Sequence, residues 1–244
     1  MNPSLTRFTN GSISAINLAA ELLELINDLL IFPEYSDYAH VFFKAASNVL
    51  APHKPYDYKI ELLERKEKAL RYSLLYKMSI LELELTKAYL IDNLNKGFIE
   101  PLIAPFAVLV LFAKKQDGSF RFCIDFRALN NLTRKDRYPF LLIDKTFARL
   151  SRAKIFTKLD IQQAFHRIRI DSALEELTTF KTRYGAYKCK VLLFGLTNRP
   201  ATYQRYMNDF LFDFLDIFCT AYLNDILIYS SDLLKHAYHV RQVL

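Results

Sequence analysis

The sequence predicts a mixed α+β fold in which β-hairpins pack against helices, and three observations carry that expectation. FRFCIDF (120–126) alternates apolar and polar residues, the period-2 signature of a half-buried strand, and it follows AVLVLFA (107–113) across a turn centred on Asp117-Gly118. TTFKTRYGAYKCKVLLF (178–194) reads as strand, glycine turn, strand. Ahead of both, Ser79-x-x-Glu82 forms a capping box, and Leu81, Leu85, Ala88 and Leu94 continue a helix to a stop at Gly97.

The remaining elements follow in order. Residues 1–15 are polar. Within INLAAELLELINDLLIF (16–32), Leu18, Leu22, Leu25, Ile26 and Leu29 share one helical face, so 16–31 is an amphipathic helix. Glu21, Glu24 and Asp28 interrupt it, which makes it a poor membrane span, and neither a basic n-region nor a cleavage site marks a signal peptide. Residues 32–58, with Pro33, Pro52 and Pro55, read as an irregular wrapping segment; 59–78 is charged and partly helical. A short helix is expected at about 142–150. IFTKLD (155–160) is a strand ending on a carboxylate. Pro200 starts a helix with Tyr203, Met207, Leu211 and Phe214 on its apolar face. AYLNDILIYS (221–230) is a hairpin with Asn224-Asp225 at its tip, and a C-terminal helix carries His236 and His239.

Composition bounds the function. A chain of 244 residues with 52% hydrophobic content supports a real core, and 5 glycines with no tryptophan exclude a low-complexity protein. The net charge of +7 favours a polyanionic partner. Cys123, Cys189 and Cys219 match no zinc spacing and are odd in number. They are expected to be buried, reduced thiols of an intracellular protein. His166, His236 and His239 fit no catalytic pattern and read as structural or surface residues.

Two aspartates carry the chemical question. Asp160 ends a strand and Asp225 sits at a hairpin tip. One reading of Asn224-Asp225 is a plain turn, since both residues tolerate left-handed backbone. The other is a metal site in which one carboxylate has become an amide. A two-metal phosphoryl-transfer site needs carboxylates on adjacent strands, because Mg²⁺ prefers hard oxygen ligands that also compensate its charge.

KKQDGSFRFCIDFRALN (114–130), FTKLDIQQAFHRIRI (156–170), FKTRYGAYKCKVLLFGLTNRPATYQ (180–204) and AYLNDILIYS resemble, in order and spacing, the successive motifs of the reverse transcriptase domain of gypsy-type LTR retrotransposons. FPEYSDYAHVF and PHKPYDYKIEL resemble the segment joining protease to reverse transcriptase in that polyprotein, and NKGFIEPLIAPFA resembles the start of the fingers. The resemblance covers about residues 31–244. It implies a right-hand polymerase with fingers and palm subdomains, an antiparallel palm sheet packed on helices. It divides the chain into a junction-like helix and linker (1–58) and a fingers–palm domain (59–244).

The resemblance also implies roles. Asp160 and Asp225 would bind Mg²⁺, with Mn²⁺ a possible substitute, and Asn224 would stand as a degenerate member of the paired-aspartate motif whose tyrosine is Tyr222. Lys115 and Arg121 match finger positions that contact the incoming deoxynucleoside triphosphate, though alone they would read as a solvated hairpin. Phe165 matches the ring that crowds the sugar 2′ carbon, and alone would read as core. Gly195, Asn198 and Pro200 lie in FGLTNRP, which matches the segment beneath the nascent pair of template and primer. The implied partners are an RNA or DNA template with primer, and no membrane.

Four departures qualify the match. Asn224 offers a neutral carbonyl oxygen where the family has a ligating carboxylate, so weak metal binding and low activity are expected. Leu193 stands where the family usually has Pro, and Arg199 where it usually has Ala. The sequence ends soon after the hairpin with no thumb following, so a fragmentary, impaired copy is expected. An active polymerase and a catalytically inactive nucleic-acid-binding remnant are the alternatives.

Overall fold

Residues 33–42, 44–63, 75–139 and 143–244 are described in this computed structural model. The helix expected over 16–31 lies outside them. The chain enters with a 3-10 helix (Pro33–Phe42) and a short helix α1 (Lys44–Ser47), where the sequence suggested irregular wrapping. Of the segment expected to be partly helical, 59–63 and 75–78 carry no helix and 64–74 lie outside the described residues; Leu62 bridges Thr133, and Leu63 N–H donates to Leu132 C=O at 2.7 Å. Such a segment satisfies its backbone against a neighbour instead of within itself.

α2 (Ile80–Asn95) begins as its capping box dictates: Ser79 Oγ accepts from the Glu82 N–H at 3.3 Å, and the Glu82 carboxylate accepts from the Ser79 N–H at 2.7 Å. It ends at Gly97, whose φ of +69° glycine adopts without strain. β1 (Ile99–Pro101) follows. β2 (Val110–Lys114) and β3 (Phe120–Ile124) form the expected antiparallel hairpin, with β2 starting three residues later than its apolar run. The run's first residues bury on a different partner: Val108 bridges Phe180. α3 (Arg127–Leu132) and α4 (Ile143–Leu150) then lead to β4 (Ile155–Asp160), which has the predicted bounds.

β5 (Phe180–Thr182) and β6 (Gly185–Cys189) make the second hairpin, and β1 joins its outer edge in the order β1-β6-β5. α5 (Arg199–Phe210) starts one residue before Pro200 and stops before Leu211 and Phe214. β7 (Cys219–Tyr222) and β8 (Asp225–Ser230) form the last hairpin, and α6 (Leu233–Val243) is capped by Asp232.

β4, β8 and β7 make an antiparallel sheet in that order. Tyr222 pairs with Asp225, so the two-residue turn is Leu223-Asn224 and Asp225 is already the first residue of β8. The tip expected at Asn224-Asp225 is therefore one residue too late. One continuous core joins these layers, with Phe126, Leu129, Ile168, Phe180, Leu192, Met207, Leu211 and Ile228 fully buried. Tyr58 belongs to it as well, pairing in parallel with Ile170.

Candidate active site

β4 and β8 bring the two aspartates together. Asp160 pairs directly with Asp225 across the antiparallel ladder. Opposed residues point to the same face with Cβ atoms about 5 Å apart, so both carboxylates stand at one edge of the sheet. Lys158 lies two residues earlier on that face, and its Nζ is 3.0 Å from Asp225 Oδ1. The Asn224 amide donates to Asp160 Oδ1 at 2.6 Å. Its backbone carbonyl accepts from the Ile161 N–H at 2.9 Å. Each aspartate thus has a donor from within the chain: an ammonium for one, an amide for the other. Tyr222, half-exposed, stands opposite Asp225.

The turn itself is held from below. Leu223 has φ +53°, an uncommon conformation for a branched side chain. Its N–H donates to Gln204 Oε1 at 2.8 Å, while Gln204 Nε2 donates to Ala221 C=O and to Asn208 Oδ1, both at 2.9 Å. Gln204 is fully buried on α5, so one helix residue fixes both sides of the Leu223-Asn224 turn. Sequence reading assigned it no role. The available signal was a polar residue at a helix position flanked by Tyr203 and Met207 of the apolar face.

A stack of rings and guanidinium groups lies near the sheet edge. Phe165 sits on a 3-10 helix (Ala164–Arg167), with its ring 4.7 Å from Tyr203 and 6.3 Å from Phe194. The Arg199 guanidinium lies 3.3 Å from the Phe165 centroid and 3.6 Å from that of Phe194. Arg121, from β3, reaches over Phe194 at 5.3 Å. The β2–β3 hairpin is thereby brought to the loop before α5. Lys115 lines a groove of about 550 Å³ on that hairpin together with Arg121 and Asp117.

The loop before α5 is pinned at three points. Asn130 of α3 donates to Gly195 C=O at 2.6 Å and accepts from the Thr197 N–H at 2.9 Å. Gly195 has φ +99°, and a Cβ there would lie 3.3 Å from the Ile124 carbonyl oxygen, so glycine is required. Asn198 donates to Arg134 C=O at 2.7 Å and accepts from the Asp136 N–H at 3.0 Å. Both ends of its amide are engaged with backbone, which makes it a brace for 134–136. Pro200 occupies the first turn of α5, where its missing N–H costs nothing.

The histidines sit where packing explains them. His236 bonds Ser230 Oγ at 3.0 Å and Thr157 Oγ1 at 2.7 Å, and His239 stacks on Phe218 with centroids 4.0 Å apart. Burial, then the cations Lys96 and Arg199, push His166 down to about 4, so it is neutral at pH 7. Burial raises Cys189 and Cys219 to about 12, keeping them as inert thiols. Cys123 is only partly buried, short of the expectation.

The side chains at the sheet edge suit a hard divalent cation, since two carboxylates converge there. A third charge is missing: among the described residues no group of three or more His, Cys, Asp or Glu side chains stands ready to hold a metal ion. Among the same residues no helix is long and apolar enough to cross a membrane.

Residues 113–244 match the family model described as "Reverse transcriptase (RNA-dependent DNA polymerase)". The chain is 44% identical over 128 residues to an "RNA-directed DNA polymerase homolog" of Oenothera berteroana, covering 51% of this chain and 90% of that protein. It is 37% identical over 157 residues to the "Retrovirus-related Pol polyprotein from transposon 297" of Drosophila melanogaster, covering 62% of this chain but 15% of the polyprotein. With the "Transposon Tf2-3 polyprotein" of Schizosaccharomyces pombe the identity is 32% over 153 residues, 63% of this chain and 12% of the polyprotein. The fold is similar to that of a prototype foamy virus protease–reverse transcriptase, with TM-score 0.69 and 20% identity over 91% of this chain and 31% of the other. A foamy viral protease–reverse transcriptase in complex with dsDNA gives the same TM-score, with 16% identity over 91% of this chain and 48% of that one.

Proposed function

The chain belongs to the reverse transcriptase (RNA-dependent DNA polymerase) family, and from that premise we propose that it is the fingers–palm part of a gypsy-type LTR retrotransposon polymerase whose chemistry is impaired by Asn224. The motif order and the transposon polyproteins among its relatives support the gypsy assignment. We also propose the division into a junction-like segment (1–58) and a fingers–palm domain (59–244). The reaction is template-directed nucleotidyl transfer onto a primer annealed to RNA or DNA, with deoxynucleoside triphosphates as substrates.

The observation that carries the reading is the direct pairing of Asp160 with Asp225 at one sheet edge. These carboxylates would hold Mg²⁺, or Mn²⁺, which when bound offsets the charge of the triphosphate. Arg121 and Lys115 would bind phosphates, the first as a planar fork and the second as a mobile point charge. Phe165 would exclude a 2′-OH. Tyr222 and the braced loop with Gly195, Asn198 and Pro200 would seat the terminal base pair. Asn224 works against this assembly twice. It supplies no negative charge, and its amide already engages one of the two Asp160 carboxylate oxygens.

Primer extension by the natural chain and by Asn224→Asp, in Mg²⁺ and in Mn²⁺, tests the reading. The aspartate variant should be at least about a hundredfold faster in Mg²⁺, which at about 1.4 kcal/mol per tenfold is close to 3 kcal/mol of transition-state stabilisation. Equal rates in Mg²⁺ would show that the amide is no lesion. A second reading, a nucleic-acid-binding remnant without chemistry, draws on the same fact that both carboxylates are already engaged within the chain. Salt-dependent duplex binding by a protein that Asn224→Asp fails to revive would favour it.

A further inference from the structure

Arg199 is an expensive residue for its place. It opens α5, where the helix dipole disfavours a cation. It is only 7% exposed. Its Nε is buried without an acceptor, and among the described residues no carboxylate pairs with its guanidinium. Burial, and next the charge of Arg121, bring its pKa down to about 10.

What holds it is the pair of rings. The Phe165 and Phe194 centroids are 6.3 Å apart, and the guanidinium carbon lies 3.3 Å from one and 3.6 Å from the other. Together these two distances slightly exceed the gap, so the guanidinium carbon lies between the rings, which are tilted 48° to one another. It has a π-system on either side, a favoured contact for a desolvated guanidinium. Phe194 is half-exposed and carries Arg121 over its ring, so this slot opens toward the finger cations.

We propose that Arg199 sets the affinity of the nucleotide site, as a built-in occupant of the slot between Phe165 and Phe194 that an incoming deoxynucleoside triphosphate must displace to seat its sugar. The inference rests on the reading of Phe165 as the ring beside the sugar. An alanine at this position would leave the slot open. The filled slot therefore lowers nucleotide affinity independently of the metal ligands at the sheet edge.

The test measures equilibrium binding of dATP, with Mg²⁺, to the full chain on a template–primer whose dideoxy end blocks chemistry. The natural chain, Arg199→Ala and Arg199→Lys are compared. Arg199→Ala should bind dATP at least tenfold tighter, with Arg199→Lys between the two, because a compact ammonium fills less of the slot and packs less well against the rings. Equal affinity, weaker affinity or no binding by Arg199→Ala would overturn the proposal. Duplex binding is scored in the same samples: its retention with unchanged dATP affinity defeats the slot argument alone, whereas its loss in the natural chain defeats the polymerase reading. The chain has no tryptophan, so Phe194→Trp supplies a single reporter against the guanidinium. Adding dATP should shift its emission in the direction that Arg199→Lys does, and this arm decides if Arg199→Ala fails to fold. An emission unmoved by saturating dATP would count against displacement.

Discussion

The sheet edge and the ring slot carry opposite kinds of side chain. At the edge, Asn224 is a neutral amide that bonds the Asp160 carboxylate at 2.6 Å. At the slot, Arg199 is a long cation held between two rings. On the proposed reading, the first withholds a negative charge while keeping a carboxylate's volume, and the second adds a positive charge and fills an open volume. The contrast teaches that charge and bulk act by different physics. A missing charge leaves geometry intact and weakens chemistry, whereas added bulk acts on binding.

The largest test of that contrast is linkage to metal. Asn224→Asp places a third carboxylate beside Asp160 and Asp225, so without metal it should lower the melting temperature by several degrees through like-charge repulsion. Saturating Mg²⁺ should restore it, and the natural chain should respond much less. Equal Mg²⁺ shifts in the two proteins would erase the distinction.

Gln204→Leu should cost about 2–4 kcal/mol in denaturant unfolding. It leaves the Leu223 N–H and Ala221 C=O without their buried partner and removes the support for a turn held at φ +53°. The ring slot should be unaffected, so the Phe194→Trp emission should not change.

pH gives a smaller, graded effect. His166 is depressed to about 4 in the folded chain, against an ordinary value near 6.5. The unfolded chain therefore binds more protons between those values. The contribution is fully present above about pH 6.5 and is lost as pH falls toward 4, on the order of 3 kcal/mol. His236 and His239, also depressed by burial, act in the same direction. His166→Gln should flatten the acid side of the stability curve, and an unchanged slope would remove His166 from the account.

Least costly is Lys158→Gln. The Lys158–Asp225 pair is exposed on both sides, so its loss should change stability by less than about 1 kcal/mol. The same change frees Asp225, and Mn²⁺ affinity followed by electron paramagnetic resonance should rise. A fall would mean that Lys158 orders the carboxylate rather than competing for it.

Some of this was legible in the sequence for plain reasons. IFTKLD alternates cleanly, and its strand has the predicted bounds. The capping box at Ser79 fixed the start of α2. β1 is three residues long and includes a proline, too short for any period to register. α3 carries two asparagines in six residues and is held by tertiary bonds rather than propensity. The hairpin tip was misplaced by one residue because register is set by cross-strand pairing, which a single strand does not reveal. At the site, spacing alone was a weak signal, and it was the resemblance to successive family motifs that pointed to Asp160 and Asp225 as partners. Gln204 beneath the turn, Lys158 on Asp225 and Arg199 between two rings are contacts between distant segments, and no local pattern encodes them.

The stitch between the entering segment and the palm has a consequence for birth on the ribosome. Arg169 Nη1 donates to Ala51 C=O across 118 positions, and Tyr58 pairs with Ile170. At roughly 5–20 residues per second, translation leaves Tyr58 without its strand partner for on the order of ten seconds. During that interval a ring destined for the deepest core faces solvent beside Ile60, also destined for burial. Nascent chains of this protein should therefore need a holding chaperone at the 51–63 segment until the palm has emerged.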